Sequence, residues 1–195
     1  MGKKTSKLSG RTGRIGILLL LLLMSAAAQA QELAVKTNAL YWLTGTLNVG
    51  GEWAFNDRSS VSLQVQYNPW EWGENKKIKH ILVQPEYRYW WNSTYAGSFT
   101  GIHLNWANFN MGKMTPFTTL KNHRYQGNAM GCGVTYSYQW MLNAYWNLEA
   151  SVSAGYLHLH YKRYGPEEGD RMQKDSYSNY VGPYQVGITL SYFLK

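Results

Sequence analysis

Cysteine is nearly absent from this sequence. Cys132 is the only one, which excludes an internal disulfide and the stapled scaffolds of small secreted domains. Charge is scarce too: charged residues make up 15% of the chain, against about 25% in ordinary soluble proteins. Few side chains are therefore available to solvate a water-facing surface. Beyond residue 30 no apolar run approaches the roughly 20 residues of a membrane-spanning helix. Nor does one sign of charge dominate. The 19 Lys and Arg outnumber 11 Asp and Glu, but five bases, Lys3, Lys4, Lys7, Arg11 and Arg14, precede the first apolar run. Setting them aside leaves 14 against 11, a net charge of +3, and with it goes the hint of a nucleic-acid partner.

That basic head, the apolar run Ile15–Met24 and the small-x-small stretch Ala28-Gln29-Ala30 have the order of a cleaved secretory signal peptide. Residues 1–30 are accordingly expected to be removed, leaving a single domain over residues 31–195. An exported domain without disulfides needs another source of stability, which a lipid-embedded barrel has.

Aromatic residues are abundant, at 15% with nine Trp and sixteen Tyr. Apolar and polar residues alternate along most of the chain, the mark of strands with two unlike faces. The periodicity predicts eight: Leu33–Leu43, Leu47–Phe55, Ser60–Asn68, Lys79–Trp91, Gly97–Phe109, Met130–Trp140, Trp146–Tyr156 and Tyr184–Leu194. Pro85 removes one ladder donor and predicts a bulge or a weak point, and the alternation slips near Tyr156 and Leu157 as a bulge would make it. The polar faces are mostly Ser, Gly, Asn, Gln and Thr instead of the Lys and Glu of a water-facing sheet. Such residues suit the packed interior of a narrow barrel. Trp53, Phe55, Trp91, Tyr95, Trp106, Trp140, Trp146 and Tyr192 fall near strand ends, where interfacial girdles lie.

The expectation is an all-β, eight-stranded antiparallel transmembrane β-barrel of outer-membrane type, in a Gram-negative bacterium. Long outward loops are expected near residues 69–77, 110–128 and 162–179, with tight turns and both termini on the periplasmic side. The closing strand carries a polar-x-Gly-x-x-apolar-x-apolar pattern in Gln185, Gly187, Leu190 and Tyr192, which resembles the insertion signal of outer-membrane barrels. Outer-membrane lipid and the barrel-assembly machinery are the partners it implies.

Asn68-Pro69-Trp70, the stretch Lys77 to Trp90 and Trp146-Asn147-Leu148-Glu149-Ala150 resemble an uncharacterised family of small Bacteroidota proteins, domain of unknown function 3575. The resemblance implies an outer-membrane barrel, sometimes encoded beside surface-fibre genes, and so surface-fibre components as partners. It brings no catalytic residue with it.

Lys36, Glu52, Glu86, Arg88 and Glu149 fall on inward faces, and charges in a narrow lumen must pair. They are expected to form a structural ionic cluster, with a gate or proton path as the alternative. Of the five histidines, His80, His103, His123, His158 and His160, none sits in a His-x-Ser pair; an inward His103 beside Ser and Glu is the one arrangement that would support catalysis. His158 and His160 point the same way, but two ligands do not make a zinc site. Glu167-Glu168-Gly169-Asp170 lacks calcium-loop spacing, and Cys132 reads as an apolar filler facing lipid. No cofactor or metal is expected. The reading is a non-enzymatic barrel with a structural or surface-assembly role. An envelope lipid-modifying enzyme, of the lipid A deacylase or acyltransferase type, and an exported soluble ligand-binding barrel are the alternatives.

Overall fold

The computed structural model describes residues 33–72, 76–112, 123–165 and 171–194; the signal segment expected over residues 1–30 and the acidic stretch Glu167–Asp170 lie outside them. Among the described residues nine strands follow in order: β1 (Leu33–Asn38), β2 (Leu47–Asn56), β3 (Ser59–Asn68), the two-residue β4 (Glu71–Trp72), β5 (Lys76–Trp90), β6 (Gly97–Gly112), β7 (Arg124–Met141), β8 (Trp146–Tyr164) and β9 (Met172–Leu194). Each long strand pairs antiparallel with its sequence neighbour, β1 pairs with β9, and β3 pairs with β5. Eight antiparallel strands thus form a ring, with β4 added to the upper end of β5.

The first strand is shorter than its alternation suggested. Strand geometry ends at Asn38, whose side chain accepts a hydrogen bond from the Leu40 amide (3.0 Å) and caps the one-turn helix α1 (Ala39–Trp42). Ala39, Tyr41 and Leu43 therefore do not extend the strand face. The Thr44-Gly45-Thr46 turn after α1 is tied to β3, with Asn68 Nδ2 donating to Thr46 Oγ1 (2.9 Å).

The other strands run further than expected. Residues assigned to long loops belong to ladders: Lys77 pairs with Gly112, Gly112 with Arg124, Arg124 with Tyr164, and Tyr164 with Met172. β7, β8 and β9 are 18, 19 and 23 residues long, whereas β1 has 6. The long hairpins all rise from one end of the ring. The tight turns after Asn56, Trp90 and Met141 lie at the other.

Pro85 produces a gap, not a bulge. Gln84 and Pro85 pair with β3 but have no partner on β6, while Val83↔Trp106 and Glu86↔His103 keep one register across the gap. The bulge expected near Tyr156 lies on the partner strand: Ser153 pairs with Gln185 and Ala154 with Pro183, so Tyr184 is the extra residue. Gly182, next to Pro183, has φ 152°, a backbone that glycine alone adopts readily. The alternation had put Tyr184 on the apolar face; the extra residue turns its hydroxyl inward instead, to His103.

Candidate functional site

The interior of the ring is stacked in three layers. At the end with the tight turns, Trp90, Phe99, Tyr95 and Phe193 pack together with Ala34 and Ala54. Ring centroids are 4.6 Å apart for Trp90–Phe99 and 4.8 Å for Tyr95–Phe193. Tyr95 follows a strand end, the position expected of an interfacial girdle, but it lies in the interior. It adopts φ 66° and folds beneath the ring, where its hydroxyl donates to the Glu52 carbonyl (3.3 Å) and its own carbonyl accepts from Asn147 (3.0 Å). Phe193, the one large apolar residue on the polar face of the closing strand, belongs to this layer.

Above it lie the five charges. Lys36 Nζ donates to Glu52 (2.7 Å) and Glu149 (2.5 Å). The Arg88 guanidinium bonds Glu86 (2.7 Å), Glu52 (2.9 Å) and Glu149 (3.0 Å), and stacks over Phe99 at 4.4 Å. Strands β1, β2, β5 and β8 supply these side chains, brought to one level by the closed register. Lys36 is 2% exposed and Arg88 1%. A buried charge costs several kcal/mol unless paired and bonded, and here each carboxylate has at least one cation. Two cations face three carboxylates. The network continues downward, since Trp90 Nε1 donates to Ser60 Oγ (2.9 Å) and Ser60 donates to Glu52 (2.6 Å).

The third layer centres on His103. Its Nδ1 lies 3.0 Å from Thr135 Oγ1, which lies 3.0 Å from Ser153 Oγ, and 4.0 Å from Glu86 Oε1. Its Nε2 meets the Tyr184 hydroxyl, which also accepts from Asn105 Nδ2 (2.9 Å). Gly133 makes this contact possible: a Cβ there would lie 2.3 Å from the Tyr184 hydroxyl and 2.6 Å from the Ala154 carbonyl. A serine-type triad needs the hydroxyl and the carboxylate on opposite ring nitrogens. In this layer Thr135 and Glu86 share Nδ1, and Ser153 reaches His103 only through Thr135.

His158 and His160 both stack on Tyr177 (ring centroids 5.7 and 4.4 Å), with His160 bonded to Asp175 at 2.8 Å. Among the described residues no group of three or more His, Cys, Asp or Glu could hold a metal ion. Near the upper rim, Glu71 joins β4 to β5 through Lys77 (2.6 Å) and Lys79. Hydrogen bonds from Lys77 and then Lys79 hold its carboxyl below the usual carboxylate range.

The outer face is the reverse of the interior. Leu104 and Val186 are each 62% exposed, and Leu47, Val49, Leu63, Ile102 and Val134 are similarly open. Cys132 is on this face as well. In the closing strand Gln185 and Gly187 lie on the inward side, while Leu190 and Tyr192 share the outward face with Ile188.

Ring and layers define an all-β protein whose interior holds one aromatic layer beneath charged and polar ones and whose outer face is apolar. The chain belongs to the family described as "Protein of unknown function (DUF3575)", whose model matches residues 16–194. A search of curated proteins finds no match to it.

Proposed function

We propose that this protein is a small outer-membrane β-barrel that crosses lipid with its closed ring, holds its tall hairpins outside the cell and serves surface assembly without chemistry of its own. The observation that carries this reading is the inversion of the ring. In water, an outer face of Leu, Val, Ile and Trp around a core of Lys, Arg and Glu would forfeit apolar burial, at about 25 cal/mol per Å². In lipid the same arrangement is the favourable one. Every strand of the ring has a strand partner on each side, as a bilayer requires of a spanning sheet.

Three features support a mechanical role over transport or catalysis. The aromatic layer and the ionic layer fill the narrow lumen across its section. In the His103 layer the hydroxyl opposite Glu86 is the phenol of Tyr184, and no Ser or Thr hydroxyl lies at that ring nitrogen among the described residues. Much of the chain's length goes into β5–β9, which stand well above the level where β1 ends. Surface-fibre components, suggested by the family resemblance, are the partner class such a wall would serve.

In planar bilayers the purified barrel is expected to show almost no steady conductance; large, reproducible channels would contradict the filled lumen. Mass spectrometry of the membrane-inserted protein is expected to find Gln31 at its N-terminus, and an intact Met1 would contradict cleavage.

A further inference from the structure

Among the described residues, β9 from Met172 to Tyr184 has β8 on one side and no strand on the other. The cause is a difference in length: β1 stops at Asn38, opposite Thr189, and α1 follows. An edge of this kind presents unpaired N–H and C=O groups, and every second residue of an antiparallel strand directs both to the same side. From Met172 to Val181 that leaves about five residues with both groups free.

Natural edges are blunted by Lys, Pro and bulges. β9 has all three, but only at the ends of this stretch: Lys174 above, and Pro183 with the Tyr184 bulge below. Between them, Ser176-Tyr177-Ser178-Asn179-Tyr180-Val181 contains no charge and no proline. Tyr177 is 69% exposed and Val181 77%. The wall behind this edge is well ordered by its contacts. Each residue from Ser176 to Val181 pairs with β8, both histidines stack on Tyr177, and the Tyr156 hydroxyl donates to Asn179 Oδ1 (2.9 Å). A template held this way is already organised for a partner.

We infer that this edge receives an extended segment of a second protein, added as a strand beside Ser176–Val181. The inference rests on the surface-assembly reading above. A second copy of this chain does not fit. Two copies inserted the same way are related by an axis along the membrane normal, so their tilted β9 strands cross instead of running together. A segment of another protein is free of that restriction, and strand addition asks of it only an extended backbone with alternating side chains. The uncharged, tyrosine-rich border favours β-branched or aromatic residues in the incoming strand.

The test uses the full chain in producing cells, with a photo-reactive residue placed in turn at Ser176, Ser178 and Tyr180. Strand addition is expected to cross-link one protein at positions that step by two for each step of two along β9. Cross-links to lipid alone, to another copy of this chain or to scattered positions would overturn the inference. In the same cells, Lys174→Cys in a Cys132→Ser background is treated with an impermeant maleimide. Surface labelling without stepped cross-links defeats the edge pairing alone. A membrane-inserted chain that does not label from outside defeats the surface reading, and the inference with it.

Discussion

In the lower half of β8, Trp146, Leu148, Ala150 and Val152 face outward and alternate with Asn147, Glu149, Ser151 and Ser153. Past Tyr156 the same strand reads Leu157-His158-Leu159-His160-Tyr161-Lys162-Arg163: the side that carried Asn, Glu and Ser below now takes Leu157, Leu159 and Tyr161, and the side that was apolar takes His158, His160 and Lys162. β9 changes in the same way, from Val186, Ile188, Leu190 and Tyr192 below to Lys174, Asp175, Ser176 and Ser178 above. β8 and β9 stay paired through the change, across the bulge at Tyr184. Below, one face meets the packed core and the other is apolar, so the sequence alternates strictly. Above, among the described residues, β9 has no strand on its other side, Leu157 and Leu159 of β8 stand on the side that was polar below, and the single alternation of the lower half is broken. Alternation thus marks the part of each strand that separates two environments.

The largest effect is expected in the core of the lower region. Arg88→Leu leaves Glu52, Glu86 and Glu149 with Lys36 as their only cation, and breaking a buried ionic network costs roughly 3–5 kcal/mol. Urea unfolding of the reconstituted barrel measures it; a loss under 1 kcal/mol would mean the cluster is hydrated and not packed.

On the outer face, Ile188→Arg is expected to cost roughly 2–4 kcal/mol, the usual cost of a cation near the bilayer midplane. Ser178→Arg, ten residues higher on the same strand, should change stability by no more than about 0.5 kcal/mol. Equal costs at the two sites would erase the boundary between the regions.

At the junction, Tyr184→Phe removes the hydroxyl shared by His103 and Asn105. The buried donors and acceptors left unpaired should cost about 1–3 kcal/mol, with strand pairing by amide exchange unchanged below Gln185. A silent substitution would show that the bulge serves the backbone and not this contact.

The smallest effect belongs to the rim. The Glu71 carboxyl is held below its ordinary range, so the stability it lends is present above the unfolded carboxylate pKa. That contribution is lost as pH falls through its lowered folded value. Protection of the Lys77 and Lys79 amides, measured relative to their intrinsic exchange rates, should therefore fall in acid, and Glu71→Gln should abolish that fall; protection that does not change in acid would contradict the clamp.

The strands of the ring and the inward charges were legible because a period of two is unambiguous wherever the two faces differ. Lys36, Glu52, Glu86, Arg88 and Glu149 could be assigned to one side from alternation alone, although their mutual distances depend on a closed register that no local pattern records. Three features were hidden for separate reasons. Asn38 continues the alternation of β1 yet acts as a helix cap, and only its position before Ala39-Leu40 hints at that. Tyr184 changes face because of a bulge on its own strand, whereas the visible slip in pattern was near Tyr156, on the strand opposite. The upper parts of β6–β9 have the sequence of loops because the apolar side changes over near Tyr156 in β8 and at the Tyr184 bulge in β9, so no single period of two runs through them. His103 stood out as an inward histidine, but its partners Thr135, Ser153 and Tyr184 come from three other strands.

Depth along one strand tests the central claim most directly. Single environment-sensitive labels are placed at Lys174, Tyr177, Val186 and Ile188 of β9 in the Cys132→Ser background, in lipid vesicles, and each is exposed to lipid-borne and to aqueous quenchers. Labels at Val186 and Ile188 are expected to respond to the lipid-borne quencher alone, and those at Lys174 and Tyr177 to the aqueous one. A folded protein in which the Ile188 label is quenched from water and untouched by lipid would contradict the membrane reading of the ring.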